Sequence, residues 1–490
     1  MKLKVGLILL GLLVLSFSLA FQNALIPDLV VNYKDFSRIT SIAVGFKYVY
    51  FGTEGGIIRY DITQDRWAEP LTGIEGLEGD KIYEIRASHD DERIWARTEF
   101  GVFEYTNIFD RWDRIDEMPD NNIQNGRHLS PTFDYFAPPG YVYFNTGVLG
   151  DDNNNRYPLT DMVDDGWSTI WIGTLGLGAL RADNTGHHME LLKYGLLQED
   201  ITTLYSDDGV LWIGGIDNGE IRTGLTVFDW RNDSFDYVET GAPLYAYAAD
   251  INDINSNDRD ILVATDDGLL VIDKETNRVR DHLYRKAGLP DNRTLSILAL
   301  GDTLYVGTEY GLGILSLDSK SIDMTLKTML PSLSISCLEL VDDNIWIGSD
   351  YGAYRMNPGT GKIGRLTTPE LTDLAEIRDI KFENDIVWLL TEYNLASINI
   401  TTAEIETFPE IIRYGDLRAV DVRDTLVAVA TQEGLLVLSA GEKPERRLYT
   451  AYDGIISDDI RDVLFDGEYI WLATDLGLSR FWYKNPNLYY

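Results

Sequence analysis

One short apolar stretch recurs ten times along the chain. Aligned on the Trp of Trp171-Ile172-Gly173-Thr174, the copies stand at Tyr50, Trp95, Trp171, Trp212, Leu262, Tyr305, Trp346, Trp388, Ala428 and Trp471. The intervals are 45, 76, 41, 50, 43, 41, 42, 40 and 43 residues. A repeat of this period is a supersecondary unit that cannot bury its apolar face alone, so stacked copies must share a core. The one long interval holds a weaker copy, Gly140 to Gly147, similar to Lys47 to Gly56.

Each copy has the same order of parts. A strand such as Ile201 to Asp207 meets a polar turn, then the apolar stretch, then a Thr-acid-x-Gly turn, then a strand such as Leu269 to Asp273. A more polar strand, for example Glu190 to Tyr194, closes the unit. Four short strands at regular spacing, without a sustained helical period, predict an all-β chain of four-stranded sheets. The central stretch is apolar on both faces, as stacked sheets require. The expected architecture is a β-propeller of about ten blades in one ring, with two smaller propellers in tandem as the alternative. Residues Leu29 to Tyr33 match a last strand, and the final copy lacks one, so the N-terminal strand is expected to close the ring.

Two positions in the copy carry a steric reading. Two residues after the Trp position stand Gly52, Gly173, Gly214, Ala264, Gly307, Gly348, Ala430 and Ala473, leaving room for a ring from a neighbouring blade; Arg97 and Leu390 break the pattern. Three residues after the Thr stand Gly56, Gly101, Asn218, Gly268, Gly311, Gly352, Asn394, Gly434 and Gly477, with Gly176 one place early. Gly accepts positive φ and Asn is its best substitute, so each marks a hairpin residue in the left-handed region. No helix follows these glycines, which argues against a phosphate-cradling loop.

Trp171-Ile172-Gly173-Thr174, Trp346-Ile347-Gly348-Ser349 and Gly288 to Asn292 (GLPDN) resemble two-component regulator propeller repeats, over nearly all of residues 21–490. The resemblance implies the propeller fold and the periplasmic sensor part of a membrane histidine kinase. The sequence holds no kinase domain and no apolar span after the repeats, so the kinase role does not carry over.

Lys2 and Lys4, the apolar run Val5 to Leu15 and Ser18-Leu19-Ala20 predict a cleaved signal peptide over residues 1–20, and a periplasmic or secreted protein with no integral membrane segment after cleavage. The one cysteine, Cys337, cannot form an internal disulfide and is read as inert core. The formal charge of -37 argues against nucleic acid and anionic membranes and favours cations or basic surfaces.

The residue after the Thr is acidic at Glu54, Glu99, Asp266, Glu309, Asp350, Glu392 and Asp475. In a propeller these turns share one face, so the sequence predicts an arc of carboxylates suited to calcium, a basic partner or solvent alone. Asp151 and Asp152, in the irregular segment 118–158, are weak calcium candidates; that segment is read as a degenerate blade or an insertion. No nucleophile elbow appears, and the adjacent pair His187-His188 is a poor chelate on a strand. The expected function is a non-enzymatic scaffold or sensor module binding a protein partner or small extracellular ligand, without a cofactor unless calcium. The alternative is an extracytoplasmic carbohydrate-active enzyme using funnel carboxylates.

Overall fold

The computed structural model describes residues 29–72, 76–106, 111–119, 126–131, 136–183, 185, 188–217, 222–239, 250–285, 288–318, 321–323, 329–367, 376–439 and 446–485. The signal segment and Asn218 lie outside these. The described residues form ten antiparallel sheets, and every aligned copy supplies the second strand of one. In chain order the sheets span 39–71, 84–115, 127–192, 201–239, 251–283, 294–323, 335–365, 379–407, 417–449 and 460–482, and are called first to tenth below. The second strands are buried on both faces apart from Arg97 and first residues; Asn344–Ser349, Leu426–Thr431 and Tyr469–Thr474 are wet only at their first residue.

Nine sheets are four-stranded. The third is not, because its first strand, Arg156–Asp164, is long enough to pair twice. One half pairs with Thr169–Thr174, and the other extends the sheet through Val148–Asp151 to Tyr141–Asn145. The weaker copy at 140–147 therefore sits on a hairpin added to the third sheet, not in a sheet of its own.

The order of packing departs from a single ring of about ten. The first strands of the fourth to tenth sheets lie side by side in chain order, and that of the tenth packs back on that of the fourth. Leu204 of the fourth sheet donates its amide to Asp462 Oδ2 of the tenth at 2.7 Å, across 258 residues. This contact circuit takes in seven sheets. The other three stack with the first in the middle: a side chain at Gly173 would strike Ile39, and one at Gly52 would strike Ile82. The neighbour at the small position is thus an aliphatic residue, not a ring. Ile251 stands 2.5 Å from where a Cβ on Gly214 would lie. At Gly52, Gly173, Gly214, Gly307 and Gly348 the occupant is an isoleucine at or just before the start of a neighbouring inner strand: Ile82, Ile39, Ile251, Ile335 and Ile377. Arg97 is exposed at this position and pairs with Glu84 at 3.0 Å, and among the described residues no sheet stacks beyond the second there.

The N-terminal strand Val30–Tyr33 pairs with Gly477–Trp482 as the outermost strand of the tenth sheet. It also ties the two sets together. Tyr33 meets Phe228 with ring centroids 5.0 Å apart, Phe228 stacks on Phe235 at 4.1 Å, and Tyr194 links Phe235 to Trp67 of the first sheet at 4.9 and 4.7 Å. Arg480 of the tenth sheet pairs with Glu69 of the first.

Candidate functional site

The hairpin between second and third strands is built the same way in most sheets. The Thr or Ser hydroxyl donates to the carbonyl three residues on, as Thr53 to Gly56, Thr308 to Gly311 and Ser349 to Gly352, each at 2.8 Å. It also accepts an amide within the turn: Tyr310 N at 3.3 Å, Tyr351 N at 3.1 Å. The turn glycines have φ between 99° and 149° at Gly352, Gly311, Gly56 and Gly101. Asn394 does not adopt positive φ. A side chain is tolerated near φ of about 57°, not in this wider region. The eighth sheet adapts instead: its ladder ends at Leu390–Leu395, and Asn394 N donates to Thr391 Oγ1 at 2.9 Å.

Register places these hairpin tips at the end where the inner strands begin, as Ile335 faces Ser349 and Thr294 faces Thr308. One face of the circuit therefore carries both the tips and the channel mouth. Three consecutive tips bear exposed tyrosines: Tyr310 at 58%, Tyr351 at 62% and Tyr393 at 58% exposure. Each follows an acid, Glu309, Asp350 or Glu392. The Glu392 carboxylate, hydrogen-bonded to the Tyr393 phenol, pushes that phenol above its ordinary range.

The predicted acids are tied to neighbours rather than gathered on one ion. Arg293 bridges Asp266 and Glu309 at 3.2 and 3.7 Å, and Glu392 faces Arg378 at 3.6 Å. Glu54 pairs with Arg38 and, at 2.7 Å, with Lys81; the two cations hold its carboxyl below its ordinary range, against the opposing effect of burial. Asp350 accepts Ser334 N at 3.2 Å, and Asp475 accepts Ser457 Oγ at 2.6 Å. Glu99 lies against Gly79. Asp151 accepts from Asn153 N, Asn155 N and Tyr157 OH, all at 2.9 Å, as an ordered turn does; Asp152 is exposed. Among the described residues no group of three or more His, Cys, Asp or Glu is arranged to hold a metal.

The mouth opens on a channel of about 390 Å³ lined by all seven inner strands. Arg378, Arg418 and Arg461 ring part of the mouth, paired with Asp416 at 2.6 Å, Asp459 at 2.6 Å and Asp200 respectively. Deeper in stand carboxylates that the sequence reading missed. Asp253, Asp379 and Asp462 each accept the next amide of their own strand and one from the following sheet: Ile297, Val420 and Leu204. Asp421 clamps Val422 and Phe465 in the same way. The available signal was an acid directly before a β-branched residue on four inner strands: Asp253-Ile254, Asp379-Ile380, Asp421-Val422 and Asp462-Val463. Burial pushes Asp253, Asp462 and Glu339 up to about 7. Lys381 faces Asp379, Asp421, Glu339 and Asp462, which hold it protonated well above its ordinary range against the opposing effect of burial. Cys337 is buried, and its thiol is pushed well above the usual range.

No family model matches the chain, and no curated protein matches it significantly. Solved structures do. The extracellular domain of BT4673 from B. thetaiotaomicron, described as a one-component system, aligns over 90% of this chain and 70% of its own with 16% identity and a TM-score of 0.47. PorZ, a surface component of the type-IX secretion system of Porphyromonas gingivalis, aligns over 92% and 69% with 13% identity and a TM-score of 0.49. Virginiamycin B lyase from Staphylococcus aureus aligns over 58% and 94% with 16% identity and a TM-score of 0.47. Among the described residues no helix is long and apolar enough to cross a membrane.

Proposed function

We propose that this chain is an exported recognition module, a seven-bladed propeller closed by its N-terminal strand with a three-sheet stack beside it, that binds a protein partner through its tyrosine-tipped face. The observation that carries this reading is the run of Tyr310, Tyr351 and Tyr393, each beside a carboxylate, on three successive tips. Tyrosine offers large rigid contact area with a polar end and is enriched at interfaces. The acids, in a chain of formal charge -37, favour a partner surface rich in Lys and Arg. Export rests on the signal expected over residues 1–20. Four of the channel carboxylates already hold two backbone amides apiece, which favours a binding role over an acid–base pair in the funnel.

A photo-crosslinking residue at Tyr351 in the exporting cell tests the reading, with Asp343, exposed at the opposite end of the same sheet, as control. The expected result is one adduct specific to Tyr351 that disappears with Tyr310→Ser and Tyr393→Ser and weakens as salt is raised. Equal adducts at both positions would overturn it.

A further inference from the structure

A cavity of about 470 Å³ opens where the three-sheet stack meets the circuit, within the several-hundred-Å³ range of small-molecule sites. The segment joining the N-terminal strand to the first sheet supplies Asp35, Ser37 and Arg38, the segment entering the fourth sheet supplies Tyr194, Leu196 and Leu197, and the fourth sheet and its approach supply Arg222 and Tyr237. Its walls are fixed by the backbone: Leu196 N donates to Lys34 O at 2.9 Å, and Gly176 N to Ser37 O at 3.0 Å. The cavity is therefore preformed.

Its lining carries both signs of charge: the acids Asp35, Glu54 and Glu199, and the guanidiniums of Arg222 and of Arg38, the last paired with Glu54. Arg222 is 9% exposed. Its Nε and Nη2 donate to Glu239 Oε1 at 3.1 and 2.6 Å, and its plane lies 5.0 Å from the Tyr237 ring. These side-chain hydrogen bonds to Glu239 leave Nη1 without a hydrogen bond to another described residue. Among the described residues Asp35 accepts Ser37 N at 2.8 Å and Ser37 Oγ at 3.1 Å and nothing else. Both Arg222 and Arg38 lie close enough to act on the Asp35 carboxyl. A bare anion entering here would meet the carboxylates of Asp35, Glu54 and Glu199, and a bare cation would meet the guanidiniums of Arg38 and Arg222. A molecule carrying an ammonium and a carboxylate satisfies both, and Leu177, Leu196 and Leu197 receive an apolar arm.

We infer that this junction is a binding site for a small zwitterion of the α-amino acid or short-peptide class, with Asp35 taking the ammonium and Arg222 the carboxylate. The site is independent of the tyrosine face. Titration calorimetry of the purified chain with leucine, leucyl-leucine, N-acetyl-leucine and leucine methyl ester tests it. A free zwitterion should bind, the dipeptide or the single residue more tightly according to the source. Each blocked form should bind at least about tenfold more weakly, because a charge-assisted hydrogen bond is lost. Asp35→Asn and Arg222→Lys should each weaken the zwitterion by a similar factor. The inference is overturned if neither zwitterion binds, if a blocked form binds equally well, or if both variants retain full affinity. The blocked ligands keep the test decisive on the native chain if a variant fails to fold.

Discussion

At the scale of single residues, a hydroxyl and a missing side chain define the repeat. Thr308 Oγ1 is buried, donates at 2.8 Å and receives a turn amide. Thr308→Val should cost about 1–2 kcal/mol in urea unfolding, since it keeps the shape and strands the partners, while Thr308→Ser should cost less. Gly214→Ala should cost about 1–3 kcal/mol by overpacking against the Ile251 Cγ2 methyl; combined with Ile251→Ala, which removes that methyl, the double variant should cost less than the two single changes added together. The small residue and the hairpin glycine were legible because their steric demand repeats. The occupant of the hole was not, because it comes from the approach to or start of another sheet's inner strand, 28 to 37 residues on or, at Gly173, 134 residues back, outside any local pattern. Asn394 misled because its residue type fits one region of positive φ and its neighbours' turns use another.

At the scale of elements, the strand grammar was readable and the pairing partners partly so. The N-terminal strand was expected on the last sheet, and Val30 to Tyr33 pair there with Phe481 to Leu478. Its docking also depends on a buried side chain. Asn32 donates to Gly454 O at 2.9 Å and accepts from Ser479 Oγ at 2.6 Å. Asn32→Ala should therefore destabilise the chain by about 2 kcal/mol, read by denaturant unfolding, because two buried groups lose their partner. A loss near zero would mean the strand is held by its ladder alone. The hairpin at 141–151 was visible as an irregularity but not as an extension of the third sheet, since that depends on one strand pairing along both halves.

At the scale of the molecule, the count of copies did not disclose how the sheets pack against one another. Arg97 was the one residue in the sequence that marked an end of stacking, and its meaning needs the packing order to read. The channel makes a second whole-molecule prediction. Asp253, Asp462 and Glu339 are raised to about 7, so the folded chain binds protons that the unfolded chain releases at its ordinary carboxylate pKa. Their stabilising contribution is full below that ordinary range and is lost as pH rises through about 7. His128, raised by its hydrogen bond to Asp161, acts in the same direction. The chain should melt higher at pH 5 than at pH 8. Lys381→Met should steepen this dependence, losing about 3 kcal/mol at pH 8 where its carboxylate partners stay charged, and much less at pH 5. A loss independent of pH would contradict the assignment.

The recognition face exists only if the circuit closes between the fourth and tenth sheets. Native-state hydrogen exchange tests that seam most directly, because an equivalent bond inside the circuit supplies the reference. Leu204 N is held by Asp462 across the seam, and Ile297 N is held by Asp253 between adjacent sheets, both at 2.7 Å. Closure predicts that the two amides exchange at comparable, slow rates, set by opening of the whole circuit. Leu204 exchanging orders of magnitude faster than Ile297 would mean an open stack of sheets, and the shared face argued from it would not stand.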